Sequence, residues 1–430
     1  MKKLAIIADD LTGAMDAGVQ LKKMGYKVCV AIGTKRIKEL VAKTDVMVFD
    51  TESRNISPES AYQKVKAVVR FIKKHDLRLI YKKVDSSLRG NIGREIKAVL
   101  DFTDIKLIII APALPYNGRT TINGYHYING IMLTKTEIAS DCLAPVRSSY
   151  IPDIINSEQD AMATVVGIDS IKEGKEKIIS EIKNAYHSGF NAMVADAERE
   201  SHLKTIAEAS RSCNIKTLLC GSAGLIENAD NMLNKILPVK KNGEKRILNE
   251  QIKTKTADFV VVISGSLSKI TDIQIKQARK SKKTGTIILN THIYFFSAEG
   301  RRREADRIEQ KIQTFISNNK NIIIGVSRER TTKKPVCCKR DKNSFAKNSA
   351  ILQKVLIRLL LKIISIKMPS GMIIIGGDTL LNICKGLDAR GIEIKHELEP
   401  YIPAGDLKGG VNAIICPLLQ RREALGMSIR

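Results

Sequence analysis

Short β-branched, apolar runs that end in charged or hydroxyl side chains, with a helical pattern commonly following, constrain this chain more than any other feature. Leu4–Ala8, Val28–Ile32, Val46–Phe49, Leu79–Tyr81 and Leu107–Ile110 have strand length, and helical periodicity appears at Ala14–Met24, Ser60–Lys74 and Ile92–Leu100. Alternation of this kind predicts an α/β fold, a mostly parallel sheet covered by helices. Ligands meet such sheets at the carboxyl ends of the strands.

Those ends are unusually polar. Lys82–Asn91 reads KKVDSSLRGN between a strand and a helix, so backbone N–H groups, the helix dipole and Arg89 together suit a small anionic, hydroxyl-bearing ligand. An ordinary surface βα loop carries similar residues. Leu4–Ala8 runs into Asp9 and Asp10, adjacent acids that are costly at a sheet edge unless they bind something or cap the following helix. Phe49–Arg54 (FDTESR) repeats the theme, and Ile110–Ala113 leads into Asn117, Gly118, Arg119 and Thr120. In a parallel sheet four such ends are expected to converge on one crevice. Asn123–Leu133 (NGYHYINGIML) reads as a β-hairpin, with His126 either packed or touching a ligand.

A chain of 430 residues exceeds one ordinary core, which predicts at least two domains. Residues 236–256 are polar, charged and poor in apolar periodicity, and serve as the expected linker between domains at 1–235 and 257–430. The second domain repeats the strand, small-residue turn, helix order twice. Phe259–Ile263 leads to Ser264-Gly265-Ser266-Leu267-Ser268 and a helix from Thr271, and Met372–Ile375 leads to Gly376-Gly377-Asp378-Thr379. Such turns can wrap a phosphate, or can hold glycine for steric reasons alone. Neither matches a P-loop, and no GxGxxG follows an early strand, which argues against a dinucleotide-binding dehydrogenase.

The net charge of +26 raises nucleic acid as a partner, but the lysines are scattered among isoleucines and asparagines, Trp is absent, and aromatics rarely flank the basic residues. No nucleic-acid or membrane partner is expected. Eight cysteines show no CxxC pair and no metal-ligand spacing with the six histidines, so reduced, buried thiols in a cytoplasmic protein and no protein-held metal are expected. The most apolar helix candidate, Ala350–Ile366, is broken by Lys354, Arg358 and Lys362 and reads as a core helix.

Taken in order, the blocks ADDLTGAMDAG, KKVDSSLRGNIGREI, APALPYNGRTTINGYHYING, LAPVRSS, GSAGL, SGSLS and IIIGGDT resemble the four-carbon acid sugar kinase family. The resemblance implies an N-terminal acid-sugar domain and a C-terminal ATP domain, with transfer of the γ-phosphoryl group to the terminal hydroxyl of threonate, erythronate or a 3-oxo-tetronate. It places Asp9, Asp10, Thr12, Lys83, Asp85, Ser86 and Arg89 in the sugar-acid pocket, and Ser264, Ser266, Gly376, Gly377, Asp378 and Thr379 at ATP. In that frame Arg89 and Lys83 pair with the carboxylate, Asp10 or Asp85 accepts from hydroxyls, Asp378 and Asp85 are the expected catalytic residues with Asp378 as the base, and Mg²⁺ arrives with ATP. A homodimer is compatible with this reading.

Two stretches depart from the family pattern. Where a TKAGGFG-type phosphate loop is expected, Leu419–Arg430 reads LQRREALGMSIR. One choice of codons for that segment, read from its third nucleotide, yields TKAGGFGNEYP, so a frameshift and weak or absent kinase activity are expected, with acid binding retained. Ser327–Asn348, dense in Lys and Arg, is expected to be a loop or another out-of-frame stretch.

Overall fold

The computed structural model describes residues 3–141, 143–156, 161–238, 259–266, 268–290, 298–326, 342–411 and 413–418. The chain divides into two units, Met1–Lys240 and Lys241–Arg430. Most of the expected linker, residues 239–256, lies outside the described residues, as do 327–341 and Leu419–Arg430.

In the first unit the strands in chain order are β1 (Leu4–Ala8), β2 (Val28–Ile32), β3 (Val46–Asp50), β4 (Arg78–Lys83), β5 (Leu107–Ala111), β6 (Arg119–Ile122), β7 (Tyr125–Ile128), β8 (Ile131–Met132), β9 (Ala163–Val166), β10 (Ala192–Ala195) and β11 (Thr217–Gly221). Eight of them form a wholly parallel sheet in the order β2-β3-β1-β4-β11-β5-β10-β9. Its inner members β1, β3 and β5 are buried at every position, which is why they read as unbroken apolar runs instead of alternating ones. Helices α1 (Leu11–Lys23), α2 (Lys38–Lys43), α3 (Pro58–Lys74) and α4 (Ile92–Phe102) follow successive strands. On α3 the helical spacing buries Ala61, Val65, Val68, Val69 and Ile72, and Ser57 caps its start by accepting from the Ser60 N–H. Each large aliphatic side chain so buried contributes roughly 1.5–3 kcal/mol.

The expected hairpin is larger than the sequence suggested. β6, β7 and β8 form a three-stranded antiparallel sheet with two turns, Asn123-Gly124 and Asn129-Gly130. All four turn residues have positive φ, from 50° to 76°, which is the two-residue turn whose twist suits a hairpin.

The second unit contains β12 (Val260–Ser264), β13 (Thr284–Leu289), β14 (Asn321–Val326), β15 (Gly371–Ile375), β16 (Gly391–Glu399), β17 (Ile402–Lys408) and β18 (Ile414–Leu418). They run in the order β13-β14-β12-β15-β18-β17-β16, parallel from β13 to β18 and antiparallel at β17 and β16. Each unit is therefore a mostly parallel sheet covered by helices. The apolar helix begins earlier than expected, at Lys342, so the end of the Lys- and Arg-rich stretch is helical and not loop. Leu352, Leu356, Leu359, Leu360 and Ile363 are buried on it. Among the described residues no helix is long and apolar enough to cross a membrane, and the five described cysteines are buried thiols outside any disulfide.

Candidate functional site

Three of the four polar strand ends lie side by side, because β3, β1 and β4 are neighbours; β5 stands apart from β4 across β11. The expectation that all four converge is corrected to that extent. The β5 end instead connects through the small antiparallel sheet. There His126, fully buried, donates from Nε2 to the Ser86 carbonyl at 2.9 Å and accepts at Nδ1 from the Thr121 hydroxyl at 3.1 Å. Burial pushes the imidazole down to about 4, and it is the neutral ring that leaves Nδ1 as an acceptor once Nε2 carries the proton. His126 is thus packed, and it props the loop that follows β4.

Asp10 both caps a helix and enters the charged cluster. Its Oδ1 accepts from the Gly13 N–H at 2.8 Å, and its Oδ2 meets Arg54 Nη1 at 2.7 Å. Arg54 Nε reaches Asp9 Oδ2 at 2.8 Å, so one guanidinium bridges both acids. Burial works against that charge, yet Asp10, Asp9 and Asp85 hold the guanidinium well above its ordinary value. Arg54 was visible only as the end of the FDTESR run; nothing local said that it would bend back over β1. The loop makes that approach through Gly90, whose φ is +100° and whose added Cβ would lie 3.2 Å from Arg54 Cα.

Burial would raise the Asp9 carboxyl, but Arg54, Lys82 and Lys83 hold it below the usual range. Asp10 goes the other way: burial and the Asp9 charge raise it in spite of Arg54. Asp85 accepts from Arg89 Nε at 2.6 Å, and Arg54 and Arg89 overcome burial to keep it far below the ordinary carboxylate range. Arg89 also reaches Asp141 Oδ2 at 3.2 Å. Asp50, at the end of β3, has a buried Oδ2 with no hydrogen-bond partner among the described residues, and burial pushes its carboxyl well up.

The two lysines diverge, as neighbours on a strand must. Both belong to β4 and not to the loop. Lys82 points into the unit and pairs with Glu95 of α4 at 2.6 Å, both side chains essentially without exposure. Lys83 is 4% exposed, and among the described residues its Nζ has one hydrogen-bond acceptor, the Val84 carbonyl at 3.0 Å. It lies where a Cβ on Gly13 would be: that atom would sit 2.9 Å from Lys83 Nζ, 2.7 Å from Asp10 Oδ1 and 3.7 Å from Asp9 Oδ1. Asp9 Oδ1 is itself buried, with no hydrogen-bond partner among the described residues. The bare Cα of Gly13 therefore lets the Lys83 ammonium and the Asp10 and Asp9 carboxylates close in on the first turn of α1, where even a methyl group would crowd them. Thr12 and Ser86 are half-buried at the rim of the same elements.

The second unit arranges small residues in place of charges. β12 and β15 pair in register at Ser264 and Ile375, so the turns that follow them are adjacent. Ser264 is fully buried and its Oγ accepts from the Ser266 N–H at 3.3 Å. Ser266 Oγ accepts from the Ser268 N–H and the Thr271 hydroxyl, each at 3.2 Å. Gly376 has φ +111° and caps the helix Gly377–Gly386 with no side chain, which leaves that terminus to the backbone. Asp378 is exposed in its first turn, and Thr379 is buried.

Family models for a sugar-binding N-terminal domain and a nucleotide-binding C-terminal domain match residues 4–229 and 261–419. The chain is thus a two-domain protein that joins a sugar-binding to a nucleotide-binding unit. It is 31% identical to the D-threonate kinase of Salmonella typhimurium over 408 residues, 94% of this chain and 90% of that protein. To the D-erythronate kinase of Heliobacterium modesticaldum it is 26% identical, over 95% of this chain and 91% of the relative. The chain belongs to the four-carbon acid sugar kinase family. Its fold matches a crystal structure of a Haemophilus influenzae protein with a TM-score of 0.70 and 23% identity, over 97% of this chain and 96% of that one.

Proposed function

We propose that the chain is an ATP-dependent kinase of a four-carbon sugar acid, of the threonate, erythronate or 3-oxo-tetronate type, acting on its terminal hydroxyl. The observation that carries the acid half is the Lys83 ammonium, buried beside Gly13. A buried ammonium with one backbone acceptor is costly to keep, and an incoming carboxylate completes it. Arg89 is already engaged by Asp85 and Asp141, so Lys83 is the main carboxylate anchor in this reading and Arg89 the lesser one. Asp9 and Asp10 accept from the hydroxyls, with Thr12 and Ser86 at the rim. Asp85 stays ionised and suits an acceptor more than a base, because a strongly depressed carboxyl takes up protons poorly.

In the second unit Ser264, Ser266, Gly376, Gly377 and Thr379 would cradle the triphosphate through backbone N–H groups and hydroxyls. Asp378 is the proposed proton acceptor as the sugar oxygen bonds to the γ-phosphorus and the β–γ bridging bond breaks. Among the described residues no three His, Cys, Asp or Glu side chains cluster as a metal cage. Mg²⁺ would come with the triphosphate and neutralise its charge, since it is held mainly by phosphate oxygens and waters.

A coupled ATP-consumption screen of threonate, erythronate and their 3-oxo forms tests the proposal. Turnover on one acid and not on neutral sugars supports it; no turnover on any, with the acid bound and ATP bound weakly or not at all, favours a second reading. That reading, an acid-binding chain without kinase activity, draws on the sequence of Leu419–Arg430, which lacks the TKAGGFG-type pattern. Replacing that segment by TKAGGFGNEYP would then restore turnover.

A further inference from the structure

Gln353 enters the second unit's loop pair from a third element, and the cradle described above does not account for it. It lies on the helix Lys342–Ile366 and is 8% exposed. Its Nε2 donates to Thr379 Oγ1 at 3.2 Å, and its buried Oε1 has no hydrogen-bond partner among the described residues. A Cβ on Gly265 would lie 2.3 Å from Thr379 Oγ1 and 3.2 Å from Gln353 Nε2, and one on Gly376 would lie 3.4 Å from the same hydroxyl. The Thr379 hydroxyl therefore sits between the two glycine turns, with the glutamine amide behind it.

A threonine hydroxyl has one proton and two acceptor lone pairs. The Gln353 amide occupies a lone pair, so the hydroxyl proton is directed elsewhere. Thr379 is also in the first turn of a ten-residue helix whose N-terminus has no side-chain cap. A donor held there, beside backbone N–H groups, is suited to an anionic oxygen. The unpartnered Oε1 is a second sign that the network is unfinished, because a buried acceptor without a donor is disfavoured.

We propose that Gln353 is a positioning residue for the nucleotide: its amide orients the Thr379 hydroxyl to donate to a phosphate oxygen, and its carbonyl accepts from an O–H or N–H donor that arrives with the nucleotide. This deepens the reading of the two turns as the nucleotide site and rests on it. A merely structural glutamine would hold the helix against the turns and affect stability alone.

The test is a double-mutant cycle on the full chain, with MgATP and sugar-acid affinities measured by calorimetry and thermal unfolding measured alongside. Gln353→Met keeps the volume and removes the hydrogen bonds; Thr379→Val keeps the shape and removes the hydroxyl. Each single change is expected to weaken MgATP about tenfold, one such hydrogen bond to a charged group, and to leave acid affinity unchanged. The double variant should be little weaker than Thr379→Val, because both act through one hydroxyl. Gln353→Glu should weaken MgATP further, since its carboxylate takes the hydroxyl proton and repels phosphate. Unchanged MgATP affinity in folded Gln353→Met and Gln353→Glu, or fully additive losses in the cycle, overturns the role of Gln353 while leaving the site intact. A wild-type chain that fails to bind MgATP overturns both the site and this role.

Discussion

The two units use one topology, a strand running into a turn and a helix, to build sites of opposite character. Around Gly13 the first unit packs Asp9, Asp10, Arg54, Lys83, Asp85 and Arg89, charges set against charges with little access to water. Around Gly265 and Gly376 the second unit has serine and threonine hydroxyls, glycine and bare backbone. On the proposed function, the contrast follows ligand chemistry. A small acid with several hydroxyls is distinguished by fixed charges and acceptors at defined points, whereas a triphosphate carries its own charge and needs many modest donors and room for close approach. Glycine appears in both for the same steric reason.

Removing the buried partner of Lys82 should show the largest difference between the units. Glu95→Ala leaves an ammonium uncompensated in the core and is expected to cost about 3–5 kcal/mol, read by denaturant unfolding. A loss under 1 kcal/mol would mean that the charges of the first unit are not interdependent. Next comes pH. The unfolded chain protonates histidine near 6.5, while burial holds His126 near 4. Stability from the neutral ring is therefore whole above pH 6.5, falls as pH drops, and is gone below about 4, a change on the order of 3 kcal/mol. In His126→Gln the stability profile should be flatter across that window, and equal slopes in the two proteins would break the assignment.

Matched alanines sharpen the comparison further. Gly13→Ala puts a methyl 2.9 Å from Lys83 Nζ, and Gly265→Ala puts one 2.3 Å from Thr379 Oγ1. Each should cost about 1–3 kcal/mol in its own ligand's binding and little in the other's, checked by titration with MgATP and with the acid. The smallest effect is expected at Asp378→Asn, exposed in a helix's first turn: stability within about 0.5 kcal/mol of wild type, with turnover falling and acid affinity unchanged.

Much of the fold was legible because parallel strands buried on both faces leave long apolar runs, and the strand ends stood out by their charges. What the sequence could not supply was partnership between distant elements. Lys82 and Lys83 looked alike as a pair of basic residues, and only the strand's alternation sends one to Glu95 and the other toward Gly13. Arg54 and Gln353 arrive from elements that are neither adjacent in sequence nor marked by a motif. The place of β5 was misjudged because insertion of β11 beside β4 depends on sheet order, which strand patterns do not encode.

The Lys82–Glu95 contact spans from the end of β4 to the first turn of α4, and the loop proposed to hold the sugar acid is the chain between them. Tying both ends together assigns that loop's loss of freedom to folding, so little ordering remains when a ligand arrives. A preorganised loop of this kind should exchange its amide hydrogens only as slowly as the whole first unit opens, with or without the acid present.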